Sequence, residues 1–142
     1  MTKKEERKLI YNKYNGRCAY CGNVLPNRWH VDHLKPVVRD FKYDKQKTKY
    51  ISTRQCKHPE LDIVENKVPS CPQCNILKSS LSIDSFRELI HGFIVSLNRD
   101  STQYKMAKKY GLINETNIRV EFYYEKVERE RAKALCGRSG AN

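Results

Sequence analysis

The sequence predicts a small single domain of the α+β class, stapled by a metal ion. Three observations carry that reading. Two C-x2-C pairs, Cys18/Cys21 and Cys71/Cys74, stand far apart in the chain, and a short β-prone run at residues 29–33 lies between them with helical patterns on either side. The chain has 142 residues with 39% hydrophobic content, which allows only a modest core. A core of that size commonly needs a staple, and a structural metal is one form of it.

The elements follow in order. Thr2 with Glu5 three positions on reads as a capping box and starts a helix over residues 3–14, with Leu9, Ile10 and Tyr14 near one face. Asn15-Gly16 ends it. Cys18 and Cys21 sit in a tight turn closed by Gly22, and Pro26-Asn27 turns the chain into the strand at 29–33. Residues 34–62 show no durable periodicity and are expected to form a long, largely irregular connection, of the kind that is usually functional or mobile. Residues 63–68 read as a short strand returning toward the first. The second knuckle, Cys71-Pro72-Gln73-Cys74, leads into a short helix from near Asn75.

Residues 81–142 form an extension expected to pack on the 16–80 core rather than stand as a second domain. Ser82 caps a helix to about residue 98, with Phe86, Leu89, Ile90, Phe93 and Leu97 as its apolar stripe. A helix over 102–110 stops at Gly111. Ile118, Val120, Phe122 and Tyr124 alternate with polar or charged neighbours and predict a strand over 118–125. A charged helix over 126–136 follows, and residues 137–142 are expected to fray.

Twenty-eight Lys and Arg against sixteen Asp and Glu give a formal charge of +12. Charge on that scale concerns partners more than fold. A polyphosphate backbone is the leading partner, and a merely soluble basic surface is the bland alternative. The first residues lack the apolar stretch of a signal peptide, and no run approaches the ~20 apolar residues of a membrane span. A cytoplasmic location, no membrane partner and reduced cysteines are therefore expected.

Two C-x2-C pairs match the knuckle spacing of a closed, tetrahedral, structural zinc site. Four unrelated thiols, or a redox pair that would need only one of the two hooks, are the competing readings. Cys56 and His58 read as loop residues rather than half of a further site, and Cys136 as an incidental thiol.

Between the hooks, Asp32 is a hard oxygen ligand for a divalent cation, and His33 can accept a proton near neutral pH. Neighbours in a regular strand face opposite ways, so a bulge or turn is expected to bring both to one site. Asn66 can orient the imidazole or its loop. Asn75 offers a carbonyl oxygen near a helix start, and Lys78 can face a phosphate. Singly, each has a bland role: ion-pair partner, buried hydrogen-bonding group, turn residue, helix cap. Together, in this order and between the hooks, they are far more specific.

The run C18-x2-C21, H30-V-D32-H33-L-K-P36, E65-N66-K67 and C71-P-Q-C74-N75-x2-K78 resembles the zinc-knuckle HNH endonucleases, in the HNN variant and with a weaker likeness to small phage-type members. The resemblance covers residues 16–80. It implies a ββα-metal (His-Me finger) core: two antiparallel strands, a connecting loop and a helix around one catalytic divalent ion, Mg2+ or Mn2+, besides the structural Zn2+. It implies His33 as general base, Asp32 and Asn75 as ligands of that ion, and Asn66 as the residue holding loop or base. No counterpart is implied for His30; it reads as a phosphate contact or a support.

The activity expected from it is hydrolysis of DNA phosphodiesters, leaving 5′ phosphate and 3′ hydroxyl ends, as endonuclease or nickase. No small-molecule cofactor is needed. One site cuts one strand, so double-strand cleavage needs a homodimer or successive nicks. Lys35, Arg39, Lys42, Lys45, Lys47 and Lys49, in a basic segment that replaces the Gly-rich turn of many relatives, are expected to track the DNA backbone with Lys78. A non-catalytic zinc-stabilised DNA-binding module and an RNA-directed nuclease remain the alternatives.

Overall fold

The computed structural model describes residues 1–138. In chain order it holds α1 (Lys3–Asn12), β1 (His30–His33), β2 (Arg39–Asp44), β3 (Lys49–Cys56), β4 (Lys67–Ser70), α2 (Pro72–Lys78), α3 (Ile83–Asp100), α4 (Thr102–Lys109) and α5 (Tyr123–Arg138), with 3-10 turns at Pro59–Leu61 and Val64–Asn66. The fold is mixed α+β with two small antiparallel sheets. Among the described residues no helix is long and apolar enough to cross a membrane. The fraying expected at 137–142 falls largely outside the described residues.

The capping box forms as expected. Thr2 Oγ1 accepts from the Glu5 N–H at 3.2 Å, and Glu5 Oε2 accepts from the Thr2 N–H at 2.7 Å. The buried face of this segment is Ile10 and Tyr14, while Leu9 is exposed. β1 pairs with β4 in unbroken register, from His30 opposite Ser70 to His33 opposite Lys67. The returning strand thus starts later than expected, because residues 64–66 wind into a 3-10 turn first. Pro72 at the first turn of α2 suits a position whose N–H is unpaired in any helix, so α2 begins earlier than expected, inside the hook itself.

The connection at 34–62 is more ordered than expected: β2 and β3 form a hairpin within it. Its turn is set by Asp44, whose Oδ1 accepts from the N–H groups of Gln46 and Lys47, and by Thr48 in the left-handed region at φ 48°. The hairpin signal was hidden because most positions on both faces are exposed, so no apolar alternation marks it.

The strand expected at 118–125 does not form. Residues 113–122 carry no regular structure, and Tyr123 already opens α5. The alternation has another cause: Phe122 enters the core and Val120 packs against it. The backbone is satisfied otherwise. Tyr123 and Tyr124 donate their N–H groups to the carbonyls of Tyr20 and Ala19 at 3.0 and 2.8 Å, and Arg87 caps the Val120 carbonyl.

The core gathers Tyr14, Cys18, Ala19, Tyr20, Leu25, Val68, Phe86 and Phe122. Phe86 and Phe122 stack at 5.2 Å, and Tyr20 meets both edge-on at 5.5 and 5.7 Å. Burying side chains of this kind stabilises by about 1.5–3 kcal/mol each. These rings come from the first hook, α3 and the segment before α5, so the extension completes the core under the hook. Only the first turns of α3 share in it: Phe86 is buried, whereas Leu89, Phe93 and Leu97 stay part-exposed.

Candidate metal centre and adjoining cleft

The sulfurs of Cys18, Cys21, Cys71 and Cys74 lie within 4.8 Å of one another, a cluster that can hold a metal ion such as zinc. Two tight turns bring them together. In the first, the Gly22 N–H closes onto the Cys18 carbonyl at 2.9 Å. Gly22 has φ +74°, a conformation that favours glycine, and a Cβ there would press on the Tyr123 ring at 3.0 Å. In the second, the hook passes directly into α2.

The donor set fits. Zinc–thiolate bonds of about 2.3 Å in a tetrahedron place sulfurs about 3.8 Å apart, and Cys21 and Cys71 stand at 3.9 Å. Cys18 is the sulfur best held as thiolate: the hydrogen bond from Cys74, assisted by the Cys71 N–H at 3.4 Å, lowers its pKa to about 4 against the effect of burial. Burial above all pushes Cys21 up to about 11, and the neighbouring Cys18 raises Cys74. Among the described residues no second metal-holding group appears, so Cys56 and His58 belong to no such cluster. Cys136 is exposed.

Beside the cluster, β1 and α2 enclose a cleft of about 350 Å³ lined by His30, Asp32, His33, Arg39, Phe41, Asn75 and Ser79, among others. The structure therefore brings Asp32, His33 and Asn75 to one place. It does so without the expected bulge, since β1 is regular. Asp32 and His33, the last two residues of the strand, both line the cleft.

Asp32 is anchored from within. Its Oδ2 accepts the phenolic hydrogen of Tyr20 at 2.6 Å and lies 3.3 Å from Lys78 Nζ. Burial, and then the Asp32 charge, raise the Tyr20 pKa, which keeps the phenol a donor. Among the described residues no donor engages Asp32 Oδ1 or the Asn75 carboxamide, so two oxygens of the kind a hard cation takes face the cleft uncommitted.

Lys78 differs from expectation. Its side chain is fully buried, with Nζ donating to the His33 carbonyl at 2.7 Å. It cannot face an external phosphate. It is an internal cation that holds the end of β1 and offsets the Asp32 charge.

His33 Nε2 meets Asp62 Oδ1 at 2.9 Å. Asp62 is held below the usual carboxylate range by hydrogen bonds from Lys67 and then His33. Lys67 Nζ also bonds Glu6 of α1 at 2.7 Å, so the imidazole ends a chain of charges running back to the first helix.

Asn66 is buried and spends its side chain on the loop. Its Nδ2 donates to the carbonyls of Lys35 and Leu61, both at 2.8 Å, and its Oδ1 accepts from the Lys35 N–H at 2.9 Å. Its own carbonyl accepts from Leu34 at 2.9 Å. Asn66 is thus a loop clamp whose side-chain hydrogen bonds all go to backbone groups of Lys35 and Leu61.

Lys35, Arg39, Lys42, Lys45, Lys47 and Lys49 are all exposed, and among the described residues none forms a side-chain ion pair. Arg39 alone of them lines the cleft.

Sequence reasoning missed Tyr20, Asp62 and the inward role of Lys78. A tyrosine between two hook cysteines was the available signal for the first. Asp62 carried none, since its link to His33 depends on how the long connection between them folds. Comparison with protein-family models, curated proteins and solved structures finds no significant match to this chain.

Proposed function

We propose that this chain is a metal-dependent DNA endonuclease or nickase of the HNH kind. The observation that carries the reading is the meeting of Asp32, His33 and Asn75 in one cleft, with two uncommitted oxygen donors, next to a four-sulfur cluster. The antiparallel pairing of β1 with β4, followed directly by α2, supports a ββα-metal core.

The residues divide the work. Asp32 and Asn75 would hold the catalytic Mg2+ or Mn2+, which when bound supplies charge relief to the phosphate and the departing oxygen. Tyr20 and Lys78 fix the Asp32 carboxylate, and positioning of this sort costs no reorganisation during reaction. His33 takes a proton from the attacking water, with Nε2 engaged by Asp62 and Nδ1 left as the accepting nitrogen. Asn66 keeps residues 34–35 and 61 locked, and so fixes the loop that flanks His33. The four thiolates would hold a zinc that ties the first hook to the start of α2. The exposed lysines supply attraction to the phosphate backbone.

The deciding experiment incubates supercoiled plasmid with wild type or His33→Ala and Mg2+ or Mn2+. Nicked or linear product from wild type alone, with 5′ phosphate ends, is expected. A retained gel shift with intact plasmid would assign a binding module instead, and cleavage of RNA only would assign an RNA-directed nuclease.

A further inference from the structure

The β2–β3 hairpin has little to do with the core. Ten of its fourteen strand residues are exposed, and β2 and β3 pair with each other alone. A lone two-stranded hairpin is marginal in water, so its retention points outward.

Its composition is specific. Between residues 39 and 56 stand Arg39, Lys42, Lys45, Lys47, Lys49 and Arg54 against Asp40 and Asp44. Three large rings share one face. Tyr43 lies directly opposite Tyr50, with ring centroids 5.3 Å apart, and Phe41 is two residues before Tyr43 on the same side. The rings are 54%, 52% and 71% exposed at Phe41, Tyr43 and Tyr50. The row is also directed. Phe41 and Arg39 line the cleft that holds Asp32, His33 and Asn75, so the aromatic face begins at the site and runs outward.

We infer that this face is a stacking platform for single-stranded DNA, which leads an unpaired strand into the cleft. Exposed rings among cations are what successive unstacked bases need. A duplex hides its base faces in its own stack, and would use the lysines but leave three rings idle. The inference deepens the nuclease reading, and rests on it, by naming the form of its substrate: DNA with unpaired nucleotides, such as a displaced strand or a junction arm.

The test is fluorescence anisotropy of the full chain without added divalent ion. The probe is a fluorescein-labelled oligodeoxynucleotide of about 20 nucleotides, single-stranded or annealed to its complement. Tighter binding to the single strand is expected. Tyr43→Ala and Tyr50→Ala should each weaken it about fivefold or more and leave duplex binding unchanged. Tyr43→Phe and Tyr50→Phe should restore it, which excludes a collapsed hairpin as the cause. Lys47→Ala should weaken both forms alike. Duplex preference in the wild type, or alanine variants that bind the single strand like wild type or lose both forms equally, would overturn the inference. Cleavage is no part of the readout, so the outcome is separable from that of the plasmid assay.

Discussion

Tyr20, seated between the two cysteines of the first hook, donates its hydroxyl hydrogen to Asp32 at 2.6 Å. The first hook is therefore tied to the cleft through Tyr20. Removing that hydroxyl in Tyr20→Phe keeps the ring in the core and deletes only the bond. A hydrogen bond to a charged group is worth about 1.5–3 kcal/mol, so a loss of that order is expected in urea unfolding. Metal content should be unchanged, and plasmid nicking should fall with the loosened carboxylate.

The four sulfurs predict one zinc per chain, by elemental analysis. Because such a site forms only in the folded state, metal affinity adds to folding stability. Chelator treatment, or Cys71→Ser, should abolish the cooperative thermal transition followed by circular dichroism. Cys136→Ser should leave both metal content and melting unchanged.

Asn66→Ala strands the Lys35 N–H and two carbonyls that the amide serves. A buried group left unpaired costs about 1–3 kcal/mol. Destabilisation of at least that size is expected in denaturant titration, with zinc content retained and cleavage reduced through the loop rather than through proton transfer.

Arg87 and Glu125 join α3 to α5 by two hydrogen bonds, at 3.1 and 2.5 Å. Burial opposes the charged form of Glu125, but the bonds from Arg87 and the Phe122 N–H outweigh it and hold its pKa below the ordinary value. A carboxylate with a depressed folded pKa stabilises above its unfolded value, near 4.3, and loses that contribution as pH falls through the folded value. The stability gap between wild type and Glu125→Gln should therefore be constant at neutral pH and close below about pH 4. Arg87→Ala, which leaves a part-buried carboxylate with the Phe122 N–H but no cation, should cost about 3 kcal/mol at pH 7.

Much of this architecture was legible in the chain. The hooks, the capping box and the helices after Ser82 and Ser101 are local signals, set by spacing and caps, and they appear where expected. That Asp32, His33 and Asn75 share a cleft was expected from the resemblance their motifs carry. What escaped was non-local. Phe122 and Val120 alternate like a strand, yet serve as core plugs, because alternation records burial and not pairing. Lys78 looked like a surface cation from its type alone; its burial follows from Tyr20 and Asp32 closing over it, and those partners lie far earlier in the chain. The β2–β3 hairpin went unread since a ribbon exposed on both faces has no hydrophobic period to detect.

The closing of Tyr123 and Tyr124 on Tyr20 and Ala19 also governs when the molecule can come together. On the ribosome the first pair of thiols emerges early, must wait for Cys74 before the sulfurs can assemble, and receives its cover only when α5 is made. Throughout that interval the nascent chain offers open thiols to any soft metal or oxidant nearby. Completion of the core is therefore a late event in synthesis, reached only once residues 122–124 have emerged.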